Sequence, residues 1–196
     1  NYANWSTKPV INALTDLEHP CQALADFMTI KEEFVDFKNV VLTFIGDGNN
    51  VANSLILCGA LLGVEVRIAC PKGYEPNSLV IKKAYEIYKN KDLLKITNDP
   101  NNAVLGANVL YTDVWSSMGE ENKKKEKDKD FSGFTIDTNL IKKADTVIKS
   151  PGISEDIPLI RDLKTQGVLI ISEIEFAFRH ISPKTKIIGI TGTNGK

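Results

Sequence analysis

The chain has few cysteines, no long apolar run and almost no net charge, and each of these scarcities excludes something. Its three cysteines, Cys21, Cys58 and Cys70, are odd in number and lack metal-type spacing. That excludes a disulfide framework or a cysteine metal cluster and suits reduced structural thiols in a cytoplasmic setting. No apolar stretch reaches the roughly 18 residues that a membrane span requires, and no signal peptide is expected. There is also no initiator Met, so a segment of something longer, or a processed or engineered piece, is expected. A formal net charge of −1 offers no general attraction for nucleic acid or an acidic membrane. What is present is ordinary for a globular protein: 196 residues, 42% hydrophobic and 25% charged, enough to bury a core in one domain or two small ones.

Apolar runs alternate with helical patterns almost throughout. Val40–Ile45 has the composition of a buried strand ending at Gly46-Asp47-Gly48, and Asn50–Leu62 has helical spacing. A second strand over Val64–Cys70 stops at Pro71 and Gly73, and a helix is expected from about Pro76 to Lys89. Short strands recur at Leu94–Thr97, Asn108–Thr112, Thr146–Lys149, Val168–Ile171 and Lys186–Thr191, with helices over Pro158–Gln166 and Glu173–His180. The mixed-sign run Lys123–Asp130, inside the loop-like stretch Gly119–Gly133, is expected to be solvated. No internal repeat is present. Strand–helix alternation with continuous apolar strands predicts an α/β protein, a Rossmann-like three-layer sandwich with a mainly parallel sheet. Ligands of such sheets lie at the carboxyl ends of the strands, where the polar motifs fall.

Gly46-Asp47-Gly48-Asn49-Asn50-Val51 follows a strand and opens a helix, as a dinucleotide fingerprint does. Val51 replaces the third glycine and no acidic residue ends the next strand, so a tight turn bringing the strand end near another ligand is the better reading. His19-Pro20-Cys21-Gln22 opens a helix through Ala23, Leu24, Phe27 and Ile30, with Asp16 suitably placed to cap the turn. His19 and Gln22 at the positive end of that helix are placed to polarise a carbonyl oxygen. Asp113-Val114-Trp115-Ser116-Ser117-Met118-Gly119 ends a strand and offers a carboxylate able to hold a ligand ammonium group. Singly, these motifs have bland explanations as a surface His with a satisfied Gln and a solvated loop aspartate.

Together they carry a resemblance. Pro9–Asp16, the His-Pro-Cys-Gln motif, Phe44–Asn50 and Asp113–Gly119 make residues 1 to about 131 similar to the ornithine-binding half of ornithine carbamoyltransferases. The resemblance implies transfer of a carbamoyl group from carbamoyl phosphate to L-ornithine, in arginine biosynthesis, without a cofactor or metal. It implies that His19 and Gln22 contact the carbamoyl group and stabilise charge on its oxygen. Asn12, Asn50, Asp113, Ser117 and Met118 would hold ornithine, with Asp113 facing the α-ammonium. The family's Ser-Thr-Arg-Thr phosphate loop and its His-Cys-Leu-Pro segment are not found in the chain, so little activity is expected of it alone. An oligomer is possible.

Residues from about 140 to 196, within a segment 132–196, carry a second resemblance. Ser150-Pro151-Gly152-Ile153, Ser172–Phe176 and Ile190-Thr191-Gly192-Thr193-Asn194-Gly195-Lys196 are similar to the Mur ligase that adds D-glutamate to UDP-N-acetylmuramoyl-L-alanine. That resemblance implies a nucleotide contact at Ser150 and Gly152, and phosphate contacts at Gly192, Thr193, Asn194, Gly195 and Lys196. The expectation is a chimera in which ligase-like elements complete a transferase sheet. The competing readings are a scaffold without catalysis and a fragment of a peptidoglycan-synthesis ligase.

Overall fold

The computed structural model describes residues 2–113, 124–137, 140, 146–149, 158–165, 167 and 169–172. Six parallel strands form one sheet: β1 Val41–Ile45, β2 Glu65–Ala69, β3 Leu94–Thr97, β4 Val109–Thr112, β5 Thr146–Lys149 and β6 Leu169–Ser172. Their spatial order is β3-β2-β1-β4-β5-β6. Helix α1 Pro20–Phe34 precedes β1, and among the described residues α2 Asn50–Leu62, α3 Ser78–Ile87, α4 Pro100–Ala103, α5 Lys124–Asp130 and α6 Pro158–Thr165 lie between strands. The expected strand Lys186–Thr191 and helix Glu173–His180 lie outside the described residues.

Alternation along each strand builds a core on either face of the sheet. Leu42, Phe44, Val66, Ile68, Val109 and Tyr111 point to one side, where they meet Phe27 and Ile30 of α1 and Leu55 and Ile56 of α2. Ile45, Ala69 and Leu110 point to the other, against Ala103, Val104, Phe131 and Phe134. This is the expected three-layer α/β sandwich. Phe44 and Tyr111, on neighbouring central strands, stack with ring centroids 5.7 Å apart.

Local chemistry sets most helix ends. The Asn49 carboxamide oxygen accepts from the backbone N–H groups of Val51 and Ala52, and Gly63 closes α2 in the left-handed conformation at φ 72°. Pro76 does not open α3. The Asn77 side chain caps that helix by accepting from Leu79 N, so the helix begins two residues after the proline. Asp16 does not cap the turn before α1 either. Thr15 does this: its Oγ1 accepts from Glu18 N at 3.1 Å and donates to Glu18 O at 3.2 Å.

Two features of this scaffold give direct tests. Helix α1 ends at Val35, which sits at φ 64° and ψ −43° while Asp36 N donates to Phe34 O across it. That is the strained form of the three-residue turn, occupied by an exposed β-branched residue. Val35→Gly is expected to stabilise the fold by about 1 kcal/mol in chemical denaturation, relief of left-handed strain outweighing the added chain entropy. At the amino end of β2, Glu65 Oε1 accepts from Arg67 Nε and Lys95 Nζ, each at 2.7 Å. Burial raises the Glu65 carboxyl, but the hydrogen bonds and charges of Lys95 and Arg67 outweigh it, and its pKa falls below the ordinary 4.5. A depressed folded pKa adds stability that is present above the unfolded value and is lost as pH falls through the folded one. Acid titration of Glu65→Gln is therefore expected to show a shallower loss of stability below about pH 4.5 than the parent chain.

Candidate active site

Strand order reverses between β1 and β4: from β1 the chain winds outward to β2 and β3, then returns to the other side of β1. At such a switch point the loops leaving the two central strands diverge and open a crevice at their carboxyl ends. The loop after β1 is Gly46–Asn49 and the residue after β4 is Asp113. They meet there, the Asn49 amide donating to Asp113 Oδ2 at 3.3 Å. Asn49 thus holds the amino end of α2 with its oxygen and the carboxylate with its nitrogen.

The turn itself is fastened on several sides. Gly46 N donates to Ala69 O at 3.0 Å and Gly48 N to Tyr74 O at 2.9 Å. Asp47 pairs with Lys127 Nζ at 2.8 Å. Gly48 lies against the backbone of residues 74–76. A Cβ there would lie 2.5 Å from Glu75 C and Tyr74 O.

The segment leading to α1 is laid across the start of α2 by that helix's polar face. Asn50 Nδ2 donates to Thr15 O at 2.8 Å, and Asn53 Nδ2 to Leu17 O at 3.0 Å. His19 N donates to Ser54 Oγ at 2.7 Å. Asn53 also accepts from Asn77 N, and both Asn53 and Ser54 are buried. The hydrogen bonds therefore run from His19 through α2 and Asn49 to Asp113, joining two motifs that lie far apart in sequence.

Pro20 starts α1 at its first position, where a missing N–H leaves no helical bond unmade. His19 stands at the cap position without using its side chain as a cap, and its buried Nδ1 has no hydrogen-bond partner among the described residues. Gln22 is half-buried one turn further on, its Nε2 donating to Asp26 Oδ1 at 3.0 Å. Asn12 is half-buried in the preceding segment, and its carbonyl accepts from the exposed Cys21 thiol at 3.6 Å. Cys58 and Cys70 are different in kind: burial, reinforced by nearby carboxylates, pushes their thiols up to about 11 and about 12. Both stay protonated and inert near neutrality.

His19, Gln22, Asn12, Asn50 and Asp113 thus lie on one connected framework. Ser117, Met118, Ser150, Gly152 and Gly192 to Lys196 lie outside the described residues. The charge run Lys123–Asp130 is not simply a solvated loop. Residues Lys124–Asp130 form α5, and Lys127 is buried because Asp47 neutralises it and the Tyr74 ring lies 6.0 Å from it. Among the described residues no group of acidic, His or Cys side chains forms a metal site, and no helix is long and apolar enough to cross a membrane. The cavity of about 250 Å³ lined by Arg67, Lys95, Thr97 and Asn102 lies apart from this framework. Arg67 already spends its donors there on Glu65 and on the carbonyls of Ala103 and Leu105.

A parallel sheet of this order, with polar side chains gathered where its direction of winding reverses, defines a small-molecule-binding α/β domain of the doubly wound type. Residues 38–149 match the family model for the Asp/Orn binding domain of aspartate/ornithine carbamoyltransferases, and residues 1–32 match the model for the carbamoyl-P binding domain. The chain belongs to the aspartate/ornithine carbamoyltransferase family.

Helix α1 with His19 and Gln22 falls largely within the carbamoyl-P match, and Asn50 and Asp113 within the Asp/Orn match. An ornithine carbamoyltransferase of Prochlorococcus marinus subsp. pastoris is 87% identical over 144 residues, covering 74% of this chain and 47% of the relative. That of Prochlorococcus marinus strain MIT 9312 is 70% identical over 178 residues, covering 91% of this chain and 57% of the relative. Among solved structures, the Pyrococcus furiosus ornithine carbamoyltransferase superposes with a TM-score of 0.75 at 37% identity, covering 89% of this chain and 57% of that one. The chain spans about half the length of the curated relatives it matches.

The ligase resemblance finds no support in these matches. The Asp/Orn domain match continues to residue 149, and an alignment covering 91% of the chain carries the likeness to transferases past residue 140, where the ligase-like stretch was expected to begin. Short Ser-Pro-Gly and Gly-rich turns recur wherever parallel strands feed helices, which is why those few residues suggested a second parent.

Proposed function

We propose that the site serves carbamoyl transfer from carbamoyl phosphate to L-ornithine, giving citrulline and phosphate as a step of arginine biosynthesis. The observation that carries this reading is the hydrogen bond from Asn49 to Asp113 across the switch point. It fixes a carboxylate at the mouth of the crevice, and a carboxylate is the acceptor that a ligand ammonium group pairs with by charge-assisted hydrogen bonds. Asp113 takes the α-ammonium of ornithine, and Asn12, Asn50, Ser117 and Met118 hold the rest of the molecule. The δ-amine, in its neutral form, attacks the carbamoyl carbon. The new C–N bond forms as the C–O bond to phosphate breaks, and the amine proton leaves to phosphate or solvent.

His19 contributes from the cap of α1. With Nδ1 buried and unpartnered among the described residues, the proton belongs on Nε2, because a buried N–H is harder to leave unpaired than a lone pair. That tautomer donates outward, toward a carbamoyl oxygen, where one such donor is worth on the order of 10²-fold in rate.

Calorimetric titration of the chain with L-ornithine tests the reading. Saturable binding supports it. A folded chain that gives no heat with L-ornithine and whose unfolding temperature L-ornithine does not raise refutes it.

A further inference from the structure

Helix α5 is a run of charged residues, and one of them faces inward: Lys127 is 7% exposed, whereas Asp128, Lys129 and Asp130 lie open to solvent. Its Nζ meets Asp47 Oδ2 at 2.8 Å, on the turn between β1 and α2. The end of α5 is also bound to Tyr74, whose hydroxyl donates to Asp130 Oδ2 at 2.8 Å. The Tyr74 ring packs edge-on against the buried Phe131 with centroids 4.9 Å apart, and its carbonyl accepts the Gly48 N–H. The chain that leaves the sheet at Asp113 is thus brought back, at Lys127, to the turn that Asp113 touches through Asn49. Stability gives little reason for a lysine there. A buried ion pair replaced by apolar groups of similar volume is often no less stable, and what such a pair can supply is a fixed register between the parts it joins.

We propose that Lys127 is a positioning residue for the ligand ammonium group: its pair with Asp47 holds the β1–α2 turn where Asn49 meets Asp113, and so sets the affinity of the crevice without touching the ligand. The proposal rests on the ornithine reading of the preceding subsection. Asp47 and Asn49 are two residues apart, and the Asn49 N–H donates to the Asp47 carbonyl at 2.7 Å, so movement of one carries the other. With its cation gone, the half-buried Asp47 carboxylate draws the turn outward to reach water. Asn49 then leaves Asp113, and ordering that carboxylate falls to the ligand, which binds more weakly for it.

Charge alone predicts the reverse. L-Ornithine carries a net positive charge near neutrality, so removing a lysine and baring a carboxylate beside the crevice would tighten its binding. The sign of the change therefore separates positioning from direct electrostatics, and a purely structural role leaves the affinity of the folded chain unmoved. Calorimetric titration of the full chain with L-ornithine, at a temperature where thermal unfolding shows each variant to be folded, reads that sign. Lys127→Met is expected to weaken binding on the order of tenfold. Lys127→Arg, which can still pair with Asp47, is expected to stay within about twofold of the parent.

The double variant Asp47→Asn/Lys127→Met is measured alongside in case Lys127→Met does not fold. It removes the tie and strands no charge, so it is expected to fold and to weaken binding about threefold or more. Unchanged or tighter binding in folded Lys127→Met or in the double variant overturns the proposal. Weakening in Lys127→Arg as large as in Lys127→Met overturns it too, because the ion pair would then not be the cause. A parent chain that does not bind L-ornithine refutes the ornithine reading and the positioning role together, an outcome distinct from a parent and variants that bind alike.

Discussion

Replacing Gly48 with alanine is expected to be among the most damaging single changes in this chain, lowering stability by about 3 kcal/mol or more in urea unfolding. The position has no spare volume. A Cβ meets the backbone of Tyr74, Glu75 and Pro76, two of those atoms at 2.5 Å. Backbone cannot rotate aside as a side-chain tip does. Relief requires the Gly46–Asn49 turn to move, and that turn hydrogen-bonds Ala69 O and Tyr74 O and carries the Asp47–Lys127 pair. The change acts on function by the same route, because Asn49, which follows directly, caps α2 and touches Asp113. A variant that unfolds at the parent's urea midpoint would show the turn to be far more pliable than this packing allows.

Asp113→Asn is expected to leave folding nearly intact and to weaken L-ornithine binding by on the order of 100-fold, measured by calorimetry. The substitution keeps shape and one carbonyl acceptor, so Asn49 retains a partner. It removes the negative charge that an ammonium group would meet, and it can turn N–H₂ toward that cation. Truncating one member of a hydrogen-bonded charge pair weakens binding by about 2 to 5 kcal/mol, and 100-fold lies near the lower edge of that range. Unchanged affinity in the variant would place the ornithine ammonium elsewhere and remove the main support for the proposed site.

Much of this was visible in the amino-acid order, and the exceptions have identifiable causes. The helix Asn50–Leu62, where local propensity, capping and burial agree, and the strands Leu94–Thr97 and Thr146–Lys149 fall where the sequence pattern put them. Helix α5 was hidden because seven charged residues in a row carry no apolar stripe. Its anchors are Phe131, one residue beyond its end, and a lysine buried by an aspartate 80 positions away. Asp16 and Thr15 are both competent caps on composition alone, and only the path of the segment chose between them. The carboxylate at Asp113 was apparent, but its partner Asn49 was not. That contact exists because β1 and β4 are neighbours, and strand order is a property of the whole sheet. The same reasoning explains Asn53 and Ser54, which look like polar interruptions of an apolar helix until the segment they hold is in place.

The central position of β1 also bears on how the molecule assembles. On one side β1 pairs with a strand only 24 residues further along, Val41 with Glu65, and on the other with one 67 residues away, Leu42 with Val109. Closing the longer loop comes at greater entropic cost and slows folding. The crevice between Asn49 and Asp113 is therefore made by the most distant of the pairings around β1, and it does not exist until that pairing has formed. A ligand that touches both loops ties the two halves of the sheet together across that join. Substrate would then act as a clasp on the finished fold, slowing its opening at the place where chain connectivity alone holds it least.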